Sequence, residues 1–158
     1  DVYKRQYQAI VDRDIPAVTI PNGAGTVRVI AGEYQGHAGP AHTFTPMQVW
    51  DVRLNQGSIS ELPVPEGWNA AIIVLRGTVS VNGDAIARDA QMVLLDRAGS
   101  GVTIEANNDA VVLLISGEPI DEAIVGHGPF VMNSHEEIVQ AIDDFNSGRF
   151  AQIPARAG

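Results

Sequence analysis

Glu33, His37 and His42 fall within ten positions of one another, and two imidazoles with a carboxylate are the donor set of a three-ligand metal site. Iron or zinc chemistry would need all three aimed at one point. Gly32, Gly36, Gly39, Pro40 and Pro46 interrupt this stretch, and its spacing matches no strand or helix face, so it reads as a plain loop. His127 sits in Val125-Gly126-His127-Gly128-Pro129, a turn-like segment, and His135 stands beside Glu136 in a helical first turn. His127 reads as a loop residue making one hydrogen bond and His135 as a solvated surface residue. Glu118, Asp121 and Glu122 gather three carboxylates at a strand exit, the composition of a solvated turn. Cysteine is absent, which removes disulfides, thiolate sites and thiol nucleophiles. No Gly-x-Ser-x-Gly elbow, phosphate-binding loop or dinucleotide fingerprint occurs. No catalytic, cofactor-binding or metal residue is assigned.

Any site must be carried by the elements around these residues. The 158 residues suit one domain, and 45% hydrophobic against 18% charged residues excludes a disordered chain. Sixteen Gly and nine Pro, spread along the sequence, argue for many short strands joined by turns. Thr26–Ile30 is β-branched and alternating. Gln48–Leu54 alternates with Trp50, Val52 and Leu54 on the core face. Ser58–Leu62, Ala70–Leu75, Thr78–Val81, Gln91–Leu95, Val102–Glu105 and Ala110–Ser116 continue the series. Arg76-Gly77 makes a bend, and Asn82-Gly83 is the pair that a tight hairpin turn with two positive φ angles prefers. Strands at this spacing, without helices between them, predict an antiparallel sandwich or barrel. One helix is signed at the end. Ser134 caps it and Glu137 completes a capping box. Ile138, Ala141, Ile142 and Phe145 form its apolar stripe, and Gly148 stops it.

Charge and hydropathy narrow the partners. Ten basic against nineteen acidic residues give −9, which repels a phosphate backbone, so no direct nucleic acid binding is expected. No stretch approaches the roughly 20 apolar residues of a membrane helix, and Asp1–Arg5 has no apolar signal core. A cytoplasmic protein with no membrane contact is expected. The chain begins at Asp1 rather than Met, which reads as a fragment.

Several segments resemble the C-terminal half of the pirin family. The most specific is Gly128-Pro129-Phe130-Val131-Met132-Asn133-Ser134, running into Glu136-Glu137-Ile138 and then Gln140-Ala141, Asp144-Phe145 and Gly148-Arg149-Phe150. Gly117-Glu118-Pro119-Ile120, Gly39-Pro40-Ala41 with Thr45-Pro46, and Asp51-Val52-Arg53-Leu54 are similar too, as is Tyr7-Gln8-Ala9-Ile10 with Ile15-Pro16 to the family's linker. The resemblance implies a bicupin, two β-barrels in tandem, of which the first holds a metal, usually iron, through His and Glu. It implies either a quercetin 2,3-dioxygenase activity or a redox-sensing partnership with transcription factors. This chain resembles the second barrel alone. Where the family's metal half has a His-Pro-His stretch, this chain has Pro63-Val64-Pro65, followed by Gly67-Trp68, and proline offers no side-chain donor. The later ligand region, Gly101-Val102-Thr103-Ile104-Glu105, contains no histidine.

The expected fold is therefore all-β, an antiparallel cupin-type barrel or jelly roll with a C-terminal α-helix. Residues 1–21 form a linker or entry arm whose first residues, Asp1–Arg5, are a remnant unlike the family; 22–127 form the barrel; 128–158 form helix and tail. The expected function is a metal-free C-terminal cupin domain with a structural and interaction role. It has no cofactor of its own, and iron is expected in the N-terminal half. The alternative is a fragment of a metal-dependent quercetin 2,3-dioxygenase whose iron lies in that half. A third reading has the barrel interior hold a small ligand without catalysis. The expected partners are the N-terminal cupin half, other proteins, and a second copy of the chain through surface that half would cover.

Overall fold

The alternating segments become strands in the computed structural model, which describes residues 8–149. In chain order these are β1 (Ala17–Ile20), β2 (Gly25–Ala31), β3 (Glu33–Tyr34), β4 (His37–Ala38), β5 (Met47–Leu54), β6 (Ile59–Pro63) and β7 (Asn69–Arg76). They continue as β8 (Thr78–Val81), β9 (Ala85–Arg88), β10 (Met92–Leu95), β11 (Gly101–Ala106), β12 (Ala110–Gly117), β13 (Val125–His127) and β14 (Phe130–Met132), before helix α1 (His135–Asn146). The chain divides into two compact units. One is Ala9–Pro119, and the other includes the described residues 120–149. The expected remnant Asp1–Arg5 and the tail from Phe150 lie outside the described residues.

The first unit is a double-layered antiparallel structure. A six-stranded sheet runs β1-β2-β5-β12-β7-β10 and a four-stranded sheet runs β6-β11-β8-β9. Their facing side chains form one core. Trp50, Ile72 and Leu114 come from the larger sheet, Leu62 and Ile104 from the smaller, and all five are fully buried. Trp50, Val52 and Leu54 are buried as the period-two pattern of Gln48–Leu54 requires. Tyr34 meets Trp50 edge to face, with ring centroids 5.1 Å apart.

Turn chemistry behaves largely as the sequence predicts. Asn82 and Gly83 both take positive φ, 52° and 75°, and the Asp84 amide donates to the Val81 carbonyl across the turn. The ladder resumes at Ala85, opposite Val81, so Asp84 is one extra residue in the hairpin. Gly77 marks the bend before β8 at φ +91°. A Cβ there would come within 2.7 Å of the Asp109 carbonyl oxygen, so only glycine fits.

Six short strands were not predicted. Ala17–Ile20, within the expected entry arm, pairs with β2 and buries Val18 and Ile20. Pro16 and Pro21 end a helix but bracket an edge strand without cost. Glu33–Ala38, within the expected loop, is a two-residue hairpin whose turn residues Gln35 and Gly36 have φ of 48° and 80°. Ala85–Arg88 is β9. Val125–His127 and Phe130–Met132 form a second small hairpin.

In the second unit, Ser134 Oγ accepts from the Glu137 amide at 3.2 Å while the Glu137 carboxylate accepts from the Ser134 amide at 3.1 Å. This is the capping box that the spacing predicts. The helix packs on the β13–β14 hairpin, with Ile138 and Ala141 buried and the Phe145 ring edge-on to Phe130.

One ion-pair cluster lies on the outer face of the larger sheet. Asp51 sits opposite Arg28 and accepts from it at 2.7 Å, and from Arg53 at 3.1 Å; Arg28 also pairs with Asp12. Burial pushes the Asp51 carboxyl up, but hydrogen bonds from Arg53 and Arg28, together with their charges, outweigh it and hold the group below the ordinary aspartate range. A depressed folded value means stability present above the unfolded value, about 3.9, and lost as pH falls through the folded one. Asp51→Asn is expected to cost about 1–2 kcal/mol at pH 7, between an exposed pair and a charged hydrogen bond in the interior. Thermal melts at pH 7 and at pH 3 check this: the variant's deficit should shrink at the lower pH.

Candidate functional site

The register separates the sequence's one histidine–carboxylate cluster. Glu33 pairs with Ala38 and Tyr34 with His37, so Glu33 and His37 project from opposite faces of their hairpin. His37 Nδ1 lies 3.1 Å from the Gln35 carbonyl oxygen, and both His37 and His42 are exposed. His127 is exposed on β13 and His135 is exposed at the start of α1. Of the Glu118, Asp121 and Glu122 carboxylates, Glu122 accepts from the Asn133 side chain at 2.9 Å and helps set the helix entry. Among the described residues, no group of three His, Asp or Glu side chains could hold a metal ion.

The stretch Pro63–Trp68 ends the edge strand β6, where a proline withholds no hydrogen bond the sheet needs. Pro63 and Pro65 are exposed while Val64 is buried in the core. Residues here do not fit a metal. Neither proline carries a donor, and the paired position on β11 is Gly101.

A cavity of about 370 Å³ opens where this stretch meets the β8–β9 turn, the end of β10 and the loop after it. Its lining mixes the apolar Pro65, Trp68, Val93 and Leu95 with the carboxylates Asp84 and Asp96 and the cation Arg97. The rim is laced by hydrogen bonds. The Gly67 amide donates to the Arg97 carbonyl at 2.8 Å and the Val64 amide to the Ser100 carbonyl at 3.1 Å. Arg97 Nε donates to Asn69 Oδ1 at 2.8 Å. Across the cavity, Asn82 exchanges two bonds with Thr103, one through its side chain and one through its backbone amide. Such a rim is preformed and needs little ordering to accept a ligand. In the sequence Trp68 stands out only as the aromatic after Gly67, and Arg97, a lone arginine before Ala98-Gly99-Ser100, carries no pattern.

Comparison with known proteins places this geometry. The family model described as the pirin C-terminal cupin domain matches residues 49–151. A Pseudomonas aeruginosa protein provisionally named as a quercetin 2,3-dioxygenase is 54% identical over 92% of this chain and 50% of its own length. Human pirin is 35% identical over 91% of this chain and 50% of its own length. The crystal structure of quercetin 2,3-dioxygenase from Acinetobacter baumannii superposes with a TM-score of 0.84 at 42% identity, covering 94% of this chain and 51% of that one. The chain spans about half the length of the curated relatives it matches.

Proposed function

The chain belongs to the pirin family, as a C-terminal cupin domain, and from that membership we propose that it is a metal-free module with a structural and interaction role. Its relatives include proteins named for quercetin 2,3-dioxygenase activity. On this reading any such activity, with its iron, belongs to an N-terminal barrel, and this chain supports and completes that barrel. The observation that carries the proposal is the pair Pro63 and Pro65 in the stretch that resembles the family's ligand segment. A dioxygenation needs a redox metal or cofactor to handle oxygen, and no side chain here substitutes for one.

Support for the interaction role comes from the β12–β7–β10 side of the larger sheet, which is apolar on both faces, whereas β2 and β5 carry Arg28, Asp51 and Arg53 on the outer one. Behind the buried Ile72, Val74, Val112 and Leu114, its outer face carries Ala71, Ile73, Leu113 and Ile115. Met92 and Leu94 extend that outer row onto β10, opposite Ile73 and Ala71. An antiparallel sheet with one wet face normally alternates polar outward. The proposed occupant is a second barrel of the same kind.

Elemental analysis tests the metal reading. The purified chain, offered iron, nickel and zinc and then desalted, is expected to retain far less than one metal per chain, and quercetin-dependent oxygen uptake should stay at the boiled control. Near-stoichiometric metal that His42→Ala removes would overturn the proposal.

A further inference from the structure

The cavity beside Trp68 has no role in the metal-free reading, yet it is built like a binding site. Its volume of about 370 Å³ suits one small molecule. We propose that it binds a small aromatic carboxylate, with the ring on the Trp68 indole and the carboxylate on the Arg97 guanidinium.

Three observations favour an anion over a cation. First, Arg97 is held: its Nε bond to Asn69 fixes the plane of the guanidinium, and its backbone carbonyl is tied to the Gly67 amide. Second, the side-chain hydrogen bond Arg97 makes among the described residues is through Nε, so the terminal edge that takes a carboxylate through two parallel bonds is available. Third, the carboxylates that also line the cavity, Asp84 and Asp96, form no ion pair with Arg97 among the described residues. No side-chain hydrogen bond orients either of them, so capturing an amine would require ordering them first. They set selectivity: with a chain charge of −9, they penalise ligands that carry more than one negative charge.

The ring component follows from the walls. Trp68 is half-buried, and Val93 and Leu95 pack partly against the core, leaving an aliphatic and aromatic slot. A flat ring gains burial and an offset indole contact there.

The inference is independent of the metal proposal, because none of these residues is a metal donor in that argument. The test is a titration followed by the two tryptophan indole signals in NMR, since Trp50 is fully buried and Trp68 borders the cavity. Cinnamate is the probe, cinnamamide its neutral counterpart and 3-phenylpropylamine its cation. Cinnamate is expected to shift the Trp68 signal saturably and leave Trp50 in place. Cinnamamide and the amine should bind on the order of ten-fold more weakly, and Arg97→Gln should weaken cinnamate by a similar factor. Asp96→Asn should hold or improve binding. Arg97 is exposed, so an unchanged melting temperature in Arg97→Gln separates lost binding from lost fold. Equal binding of the amide or the amine, an unaffected Arg97→Gln, or no saturation of any probe by about 10 mM would each overturn the proposal.

Discussion

Trp50→Ala is expected to destabilise the chain by about 3–5 kcal/mol, the range for emptying a fully buried aromatic site. Trp50 is 0% exposed in the middle of β5, touches the Tyr34 ring, and sits in the one cluster that both sheets share. At about 2–4 °C per kcal/mol for a chain of this size, the midpoint should fall by on the order of 10 °C. Trp50→Phe separates shape from polarity. The indole N–H is buried without a partner among the described residues, so phenylalanine removes an unsatisfied donor while keeping most of the apolar area. Its cost should be less than half that of alanine. Thermal or urea melts of the three proteins decide it, and a midpoint shift under about 3 °C for Trp50→Ala would show that the core closes over the gap.

Self-association is the second large effect expected. Met92 is 58% exposed and Leu94 73%, and they continue an apolar row through Ile73, Ala71, Leu113 and Ile115. A contiguous patch of this kind marks a contact surface. In solution a second copy should occupy it, so light scattering is expected to show the average mass rising towards a dimer with concentration. Met92→Asp with Leu94→Asp should return the chain to a monomer without unfolding it, since both side chains are already exposed. A wild-type chain that stays monomeric at high concentration, or a double variant that associates equally, would remove this face as the docking surface.

Much of the fold was legible because the strongest signals were periodic. Trp50-x-Val52-x-Leu54 declared its core face, and β12 and β7 declared themselves by unbroken apolar runs. Ser134 and Glu137 declared the helix start by a spacing with a single mechanical meaning. The short elements escaped because two- to four-residue strands hold too few residues to show a period. The β3–β4 hairpin also depends on Gln35 adopting a positive φ, which its side chain supports by donating to the Tyr34 hydroxyl at 3.1 Å. The histidine cluster could be weighed but not resolved, because only register decides whether neighbours in sequence share a face. The cavity was illegible for a further reason. Trp68, Asn82, Val93 and Arg97 come from four separate segments, and it is the pairing of strands that brings them together.

The sheet order carries a kinetic consequence. The centre of the larger sheet is β5 against β12, whose closest paired positions, Leu54 and Ala110, are separated by about 55 residues. No local hairpin can nucleate that pair. The β8–β9 turn can form early, but the layer that buries Trp50 exists only after this long loop has closed and its entropy has been lost. Topologies of this kind reach the native state in milliseconds to seconds rather than microseconds. Until that loop closes, the apolar run of β12 lacks its β5 partner, which makes the folding chain, more than the folded one, the species at risk of sticking to its neighbours.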